Sequence, residues 1–523
     1  MLEQFYPYAV IGLCLSIIWF FYQLYQQRST LLPSLSFWSA SLTYAITVFM
    51  TDFSFYHKLL LMLPRDLVVF VMVFLLANNL KNTRAFFLAA IGIGLAGYLI
   101  YSRFVPETWQ KFFGTSQENT PAAQLPSELA RDGELLLSLK VNTQPEALQA
   151  LLQDYDVRLK RAFPTLQHPD LTDLDEYYTL DVPDAQIKNL AKIRTALETS
   201  GLVDVIEYNE VIRLSPPAPS PDRPAPAPID YGLDDPNLAQ LWGFEKMKMA
   251  DYFQYLRQEE INPKKRAKIA ILDTGVEGTH EDLKDNYVST RSQYDQDKQS
   301  HGTHCAGIAA AVSNNGRGGA SLALHPGFLQ VTSIKVLSDF GWGTQQDIIN
   351  GMIEAADQGA DVISMSLGGP SRDNAQKAYE AAIRYANRAG AVVVVAAGND
   401  NRNAKNYVPA ACEGVIVVAA LSPDLKKASF SNFISDLGMG IAAPGQDILS
   451  TIPDNKYAAY SGTSMATPYV AGLVGVLKAL RPDLNTAQVY ALLKDTGLDT
   501  PDSALTGKMI YPLGAVQALQ KQE

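Results

Sequence analysis

Apolar positions follow three different rhythms along this chain, and each predicts a different kind of element. Through the first hundred residues they are almost unbroken. Tyr6–Tyr25 carries no Lys, Arg, Asp or Glu and is long enough to span a bilayer as a helix. Similar runs fill Leu35–Thr51 and Ala85–Tyr101, and another lies near Leu59–Ala77, interrupted by Pro64, Arg65 and Asp66. Residues 1–104 are therefore expected to form a membrane region of about four helices, with three as the alternative. Glu3 stands where a signal peptide would be basic, and no small-residue cleavage site follows the first run. Basic residues are balanced between the connecting segments, so they give no orientation. The glycines of Gly92–Gly97 match a dinucleotide fingerprint only formally, because no strand precedes them; close helix packing is the better reading.

After a polar connector, 105–133, the rhythm shortens. Glu134–Val141, Glu176–Val182 and Val203–Leu214 read as strands, with another near Leu159–Phe163. Pro145–Tyr155 and Asp184–Thr199 read as helices between them. Over 134–215 this gives a β-α-β-β-α-β unit, a small ferredoxin-like α+β domain. Pro216–Pro228 then holds seven prolines in thirteen residues. Such a segment extends at about 3.1 Å per residue, roughly 40 Å in all, so 216–230 is expected to be a semi-rigid linker.

From Tyr231 to the end, a third rhythm appears. Lys268–Leu272, Val331–Val336, Val362–Ser366 and Val392–Ala397 are short apolar runs of the kind buried on both faces of a parallel sheet. Helical patterns over Ser300–Val312, Thr344–Gln358, Asn374–Ala389 and Thr463–Leu480 separate them. The alternation predicts an α/β domain over 231–523, with a parallel sheet covered by helices on both faces and ligands bound beyond the strands' carboxyl ends.

Composition narrows the picture. At 523 residues several folding units are expected. A net charge of −11 argues against a nucleic-acid partner, which needs a basic stripe. Three cysteines, Cys14, Cys305 and Cys412, are too few and too scattered for a disulfide framework or a zinc site.

Candidate chemistry sits in three motifs: DTG at Asp273, HGTHCAG at His301 and GTSMATP at Ser464. They place a carboxylate, an imidazole and a hydroxyl in the order Asp…His…Ser, one of three unrelated orders in which the hydrolytic triad occurs. Asp273 follows the strand Lys268–Leu272 and is expected at its carboxyl end, whereas His301 and Ser464 are each expected to open a helix. Ser464 needs a neighbouring base to become a nucleophile; His301 would take its proton, and Asp273 would hold the ring.

On these motifs the chain resembles the subtilisin-like serine peptidases (subtilases) over roughly 231–520, and 134–215 resembles the inhibitory propeptide of that family. The resemblance implies a subtilisin-like fold and endopeptidase activity on protein or peptide substrates. It also implies that the chain's own propeptide acts as an intramolecular inhibitor, its tail lying in the substrate cleft. Asn399, in VVVVAAGND, matches the oxyanion-hole Asn. Ser366, Leu367, Gly368 and Gly369 match one wall of the primary specificity pocket, and Ala396 through Gly398 the other. Gly341, Trp342 and Gly343 match the edge that pairs with extended substrate, and Asn406–Ala410 resembles the pocket floor. With no Asp or Glu placed there by motif, an apolar or small residue is expected before the scissile bond.

The resemblance also implies a structural calcium ion at Asp235, Asp282 and the Asn315–Gly319 loop, where the carbonyls of Arg317 and Gly319 would join the ligands. Arg317 departs from the apolar residue usual there. Cys305 falls where some branches of the family carry a buried thiol, and a disulfide with Cys412 is the lesser alternative. His304 and His280 are expected to serve structure. The whole then reads as a membrane-tethered serine endopeptidase made as a self-inhibited precursor, its peptidase domain extracytoplasmic. A catalytically silent membrane scaffold or receptor is the competing reading.

Overall fold

In the computed structural model, the described residues are 129–141, 143–214, 218–219, 229–371 and 376–522. The expected membrane region, most of the connector and most of the proline-rich linker lie outside them. Among the described residues, no helix is long and apolar enough to cross a membrane. All of them belong to one compact unit, residues 123–523.

The amino-terminal part is a four-stranded antiparallel sheet made of β1 (Leu135–Leu139), β2 (Arg158–Arg161), β3 (Tyr177–Asp181) and β4 (Val203–Tyr208), in the order β2-β3-β1-β4. Helices α1 (Pro145–Leu151) and α2 (Leu190–Ser200) complete the split β-α-β pattern expected from the sequence. Strand β1 reads Leu-Leu-Leu-Ser-Leu and is buried throughout. The period of two explains why. Leu135, Leu137 and Leu139 meet Leu148 of α1 and Ile193 and Leu197 of α2, while Leu136 faces the opposite way, into the core of the larger part.

The sequence reads as one strand over Val203–Leu214, but the chain bends at Asn209–Glu210. Asn209 is buried, and its side chain is spent on two partners: Nδ2 donates to the Gly133 carbonyl and Oδ1 accepts from the Gln346 N–H. Beyond the bend, β5 (Val211–Arg213) leaves the small sheet. The short strand β6 (Ala218–Pro219) follows it.

The larger part is built on six parallel strands in the order β15-β14-β12-β10-β7-β8. They are β7 (Ala267–Asp273), β8 (Leu329–Lys335), β10 (Val362–Met365), β12 (Val392–Ala396), β14 (Val415–Leu421) and β15 (Gly440–Pro444). Alternate residues serve opposite faces. Ile269 and Ile271 pack with helix α6 (Thr463–Leu480), whose every residue is buried. Ala270 and Leu272 pack with α4 (Gln345–Asp357) and α5 (Lys377–Arg388). Helix α3 (His301–Ala310) is also wholly buried, in the first of these layers. The edge of the cleft is drawn by β9 (Trp342–Thr344), by β11 (Gly369–Pro370) paired with β13 (Tyr407–Val408), and by the hairpin β16 (Ile448–Ile452) with β17 (Lys456–Ser461).

Candidate active site

Three elements bring the motif side chains together. Strand β7 ends at Asp273, α3 opens at His301, and α6 carries Ser464 in its first turn. Gly302 lets α3 approach the strand end: a Cβ there would lie 2.1 Å from the Gly275 carbonyl oxygen. His301 Nδ1 lies 2.8 and 2.9 Å from the two Asp273 carboxylate oxygens. Both residues are buried, at 2% and 0% exposure. Burial alone would favour the neutral ring, but the Asp273 carboxylate outweighs it and holds the imidazole's pKa well above its ordinary value.

Ser464 Oγ donates to the Ser366 carbonyl at 3.1 Å rather than to His301, so a side-chain rotation separates it from the base. The Ser464 carbonyl is itself unusual. Pro468, four residues on inside α6, has no N–H to give it. The Ser366 hydroxyl (2.8 Å) and the Cys305 thiol (3.5 Å) donate to it instead. Cys305 also sits 3.9 Å from His301 Nδ1. Burial pushes its thiol pKa up, and it is free, as is Cys412, so the disulfide alternative is not realised.

Asn399 Oδ1 accepts from both the N–H and the hydroxyl of Thr463, each at 2.9 Å. With its oxygen engaged, the amide presents Nδ2 as its donor group. The first-turn N–H groups of α6, Ser464's among them, have no acceptor inside the helix. Asn399 and Ser464 line one cavity of about 300 Å³ together with Ser366, Leu367, Gly368, Gly369, Ala396 and Gly398. Fixed donors at the mouth of such a pocket are what an oxyanion developing on a carbonyl requires.

The cavity is shared with β5. Val211–Arg213 pairs antiparallel with β9, putting Ile212 opposite Gly343 and Arg213 opposite Trp342. The Leu214 N–H donates to the Gly341 carbonyl at 2.8 Å. On the far side, Ala218 and Pro219 pair with Ser461 and Tyr460 of β17. The expected edge segment Gly341–Gly343 thus accepts the chain's own extended backbone.

Asp400 and Glu207 are among the carboxylates that the sequence did not single out. Asp400 lines the cavity, held by the Tyr407 hydroxyl at 2.7 Å, so the pocket does have an acidic group. Glu207, on the docking face of β4, accepts from Gln345 Nε2 and from the Lys377 N–H at the start of α5. Burial raises its pKa. In sequence both look like ordinary surface acids, and neither belongs to a motif. His280 and His304 are buried, bonded to the carbonyls of Lys456 and Ala458, as expected of structural residues.

The residues implicated in calcium binding converge elsewhere. Asp235 accepts the N–H groups of Asn314 and Asn315; Asp282 accepts Asn315 Nδ2 and the Gly319 N–H. Arg317 turns outward to Glu281 at 2.6 Å. Burial raises both aspartates, Asp282 to about 7. Among the described residues, neither has a Lys or Arg partner.

The comparisons agree with this geometry. The model of the subtilase family matches residues 264–509. Thermitase of Thermoactinomyces vulgaris is 46% identical over 216 residues, covering 40% of this chain and 74% of its own. Subtilisin DY of Bacillus licheniformis is 39% identical over 249 residues, covering 46% and 87%. An intracellular serine protease of Paenibacillus polymyxa is 37% identical over 273 residues, covering 49% and 81%. With relatives so extensively covered, a doubly wound parallel sheet and the buried Asp273–His301 pair beside Ser464, the chain belongs to the subtilase family and is a subtilisin-like serine endopeptidase.

Proposed function

We propose that this protein is a membrane-anchored endopeptidase that cleaves proteins through an acyl-enzyme and is made as a precursor inhibited by its own residues 134–215. The observation that carries the reading is the buried 2.8 Å contact between Asp273 and His301, tied through the Cys305 thiol to Ser464, which lines one cavity with Asn399. Once Ser464 Oγ leaves the Ser366 carbonyl, His301 Nε2 takes its proton as the oxygen attacks the substrate carbonyl. Asp273, on Nδ1, fixes the tautomer and stabilises the imidazolium. Asn399 Nδ2 and the Ser464 N–H hold the oxyanion. The imidazolium then protonates the leaving amine, and water, deprotonated by the same ring, releases the acyl group. A fluorophosphonate probe should label the wild-type chain once residues 134–214 are undocked and leave Ser464→Ala untouched; no labelling of the undocked, folded wild type sinks the mechanism.

Self-inhibition is supported by the pairing of β5 with β9, which occupies the strand edge an extended substrate would need. Processing is expected between Leu214 and Asp235. Identical gel mobility of wild type and Ser464→Ala would rule out self-cleavage. Membrane anchoring rests on the apolar runs of residues 1–104, and the extracytoplasmic side on the calcium reading; a reporter fused near residue 110 tests both.

A chemical argument supports the calcium reading. Two buried carboxylates without a basic partner, both raised by burial, are groups whose ionised form a hard, oxygen-seeking cation would stabilise. Asp235, Asp282, the Asn315 side chain and the carbonyls of Arg317 and Gly319 would hold it, and its contribution would be to fasten this loop. Chelation should lower the melting temperature; an unchanged melt removes the site.

A further inference from the structure

Asp297 is four residues ahead of His301, 7% exposed, and belongs to none of the motifs. Its carboxylate collects four hydrogen bonds. Oδ1 accepts from Thr274 Oγ1 (2.8 Å) and the Gln299 N–H (3.0 Å). Oδ2 accepts from the Thr303 N–H (2.9 Å) and Thr303 Oγ1 (2.8 Å).

The direction of these bonds is fixed by chemistry. The Thr274 hydroxyl accepts from the Gly302 N–H, and the Thr303 hydroxyl accepts from the Glu277 N–H. Each therefore spends its own proton on Asp297. Both oxygens face two donors, which suits an ionised, acceptor-only carboxylate and leaves no position for a proton or an amide NH₂. The two threonines flank the base pair. Thr274 follows Asp273 and donates its N–H to Asp273 Oδ1 at 2.7 Å; Thr303 lies two residues beyond His301, in the first turn of α3. The residue at the helix start, Ser300, has a left-handed backbone (φ 65) and its side chain caps nothing, so Asp297 takes the capping role.

We propose that Asp297 is a positioning residue for the catalytic base: it locks the end of β7 to the start of α3 and so sets the Asp273–His301 distance. Resting on the reading of His301 as base, this assigns Asp297 no contact with substrate. Its loss loosens the pair and slows the chemical step without weakening substrate binding.

The test uses the full chain with Asp297→Asn, whose NH₂ must confront two of the four donors, and Thr303→Val as a milder change. Saturable fluorophosphonate labelling, normalised to the sites finally labelled, should show the maximal rate falling ~10- to 100-fold for Asp297→Asn. The half-saturating concentration should stay within about twofold. Thr303→Val should shift the same way by less. In a Ser464→Ala background, where no turnover occurs, the far-downfield proton resonance of His301 Nδ1–H should move or broaden in Asp297→Asn. An unchanged maximal rate per labelled site, or an unmoved resonance in a folded variant, overturns the proposal. Failure of the wild type to label would instead strike the base reading, and the resonance comparison would still decide the role of Asp297.

Discussion

The small part, 134–214, and the larger part, 229–522, bury their sheets by opposite strategies. The six-stranded sheet is covered on both faces by helices of its own part. The four-stranded sheet has its own helices on one face only. Its other face, with Leu136 and Tyr177 joined by Phe163 and Leu174 from its loops, is continuous with Tyr379, Tyr385 and Met352 of the larger part. Polar contacts follow the same seam: Glu207 at the start of α5, and the Tyr385 hydroxyl accepting the His168 N–H. One part completes its core alone; the other completes it only by docking. Docking also delivers β5 to the cleft, so the small part's stability and its occupation of the active site are one equilibrium.

Four measurements break or sharpen that contrast. The largest effect should come from Asn399→Ala, which on the proposed mechanism removes an oxyanion donor and should cost about 10²–10³ in kcat. Because the site is built inside the self-sufficient part, protease protection of 134–214 should not change; a loss of docking would show the two parts to be less separable than described.

Next, Leu136→Ala opens a cavity in the shared core and should cost about 2–5 kcal/mol. The loss should appear as undocking: faster fluorophosphonate labelling and readier digestion of 134–214, with the melt of the larger part unmoved. If both parts melt together at the lower temperature, the larger core is not independent.

The third measurement concerns pH. In the proposed mechanism His301 must be neutral to act as base, and Asp273 holds its pKa above the ordinary imidazole range against the opposing effect of burial. Labelling should therefore fail as pH drops through a midpoint higher than that of a free histidine. Asp273→Asn, though much slower, should show a lower midpoint. A wild-type midpoint at or below the free value would mean that burial outweighs the carboxylate.

The smallest effect belongs to Asp400→Asn. An exposed carboxylate in the pocket wall is worth up to about 1 kcal/mol, so acceptance of Lys or Arg before the scissile bond should fall by up to about fivefold relative to apolar residues. Equal profiles for the two proteins would restore the purely apolar or small preference expected from the motifs.

Much of the architecture was legible in advance because its signals are local. Helix α6 begins and ends where its apolar pattern does, at Thr463 and Leu480. Thr344 and Asp347 form the capping box that starts α4. Val203–Leu214 misled for an equally physical reason. Its composition is strand-like throughout, and the bend at Asn209 is imposed by Gly133 and Gln346, partners 76 and 137 residues away.

By itself the sequence determined the order of the Asp273, His301 and Ser464 motifs, the parallel sheet that carries them and the separate small α+β fold, since periodicity and helix-start chemistry need only near neighbours. Tertiary structure alone decided that Ser464 turns to Ser366, that Asp400 enters the pocket wall and that Asp297 joins strand end to helix start. Those outcomes depend on which donor meets which acceptor across long stretches of chain, and a buried polar group takes its meaning from partners that only folding brings within reach.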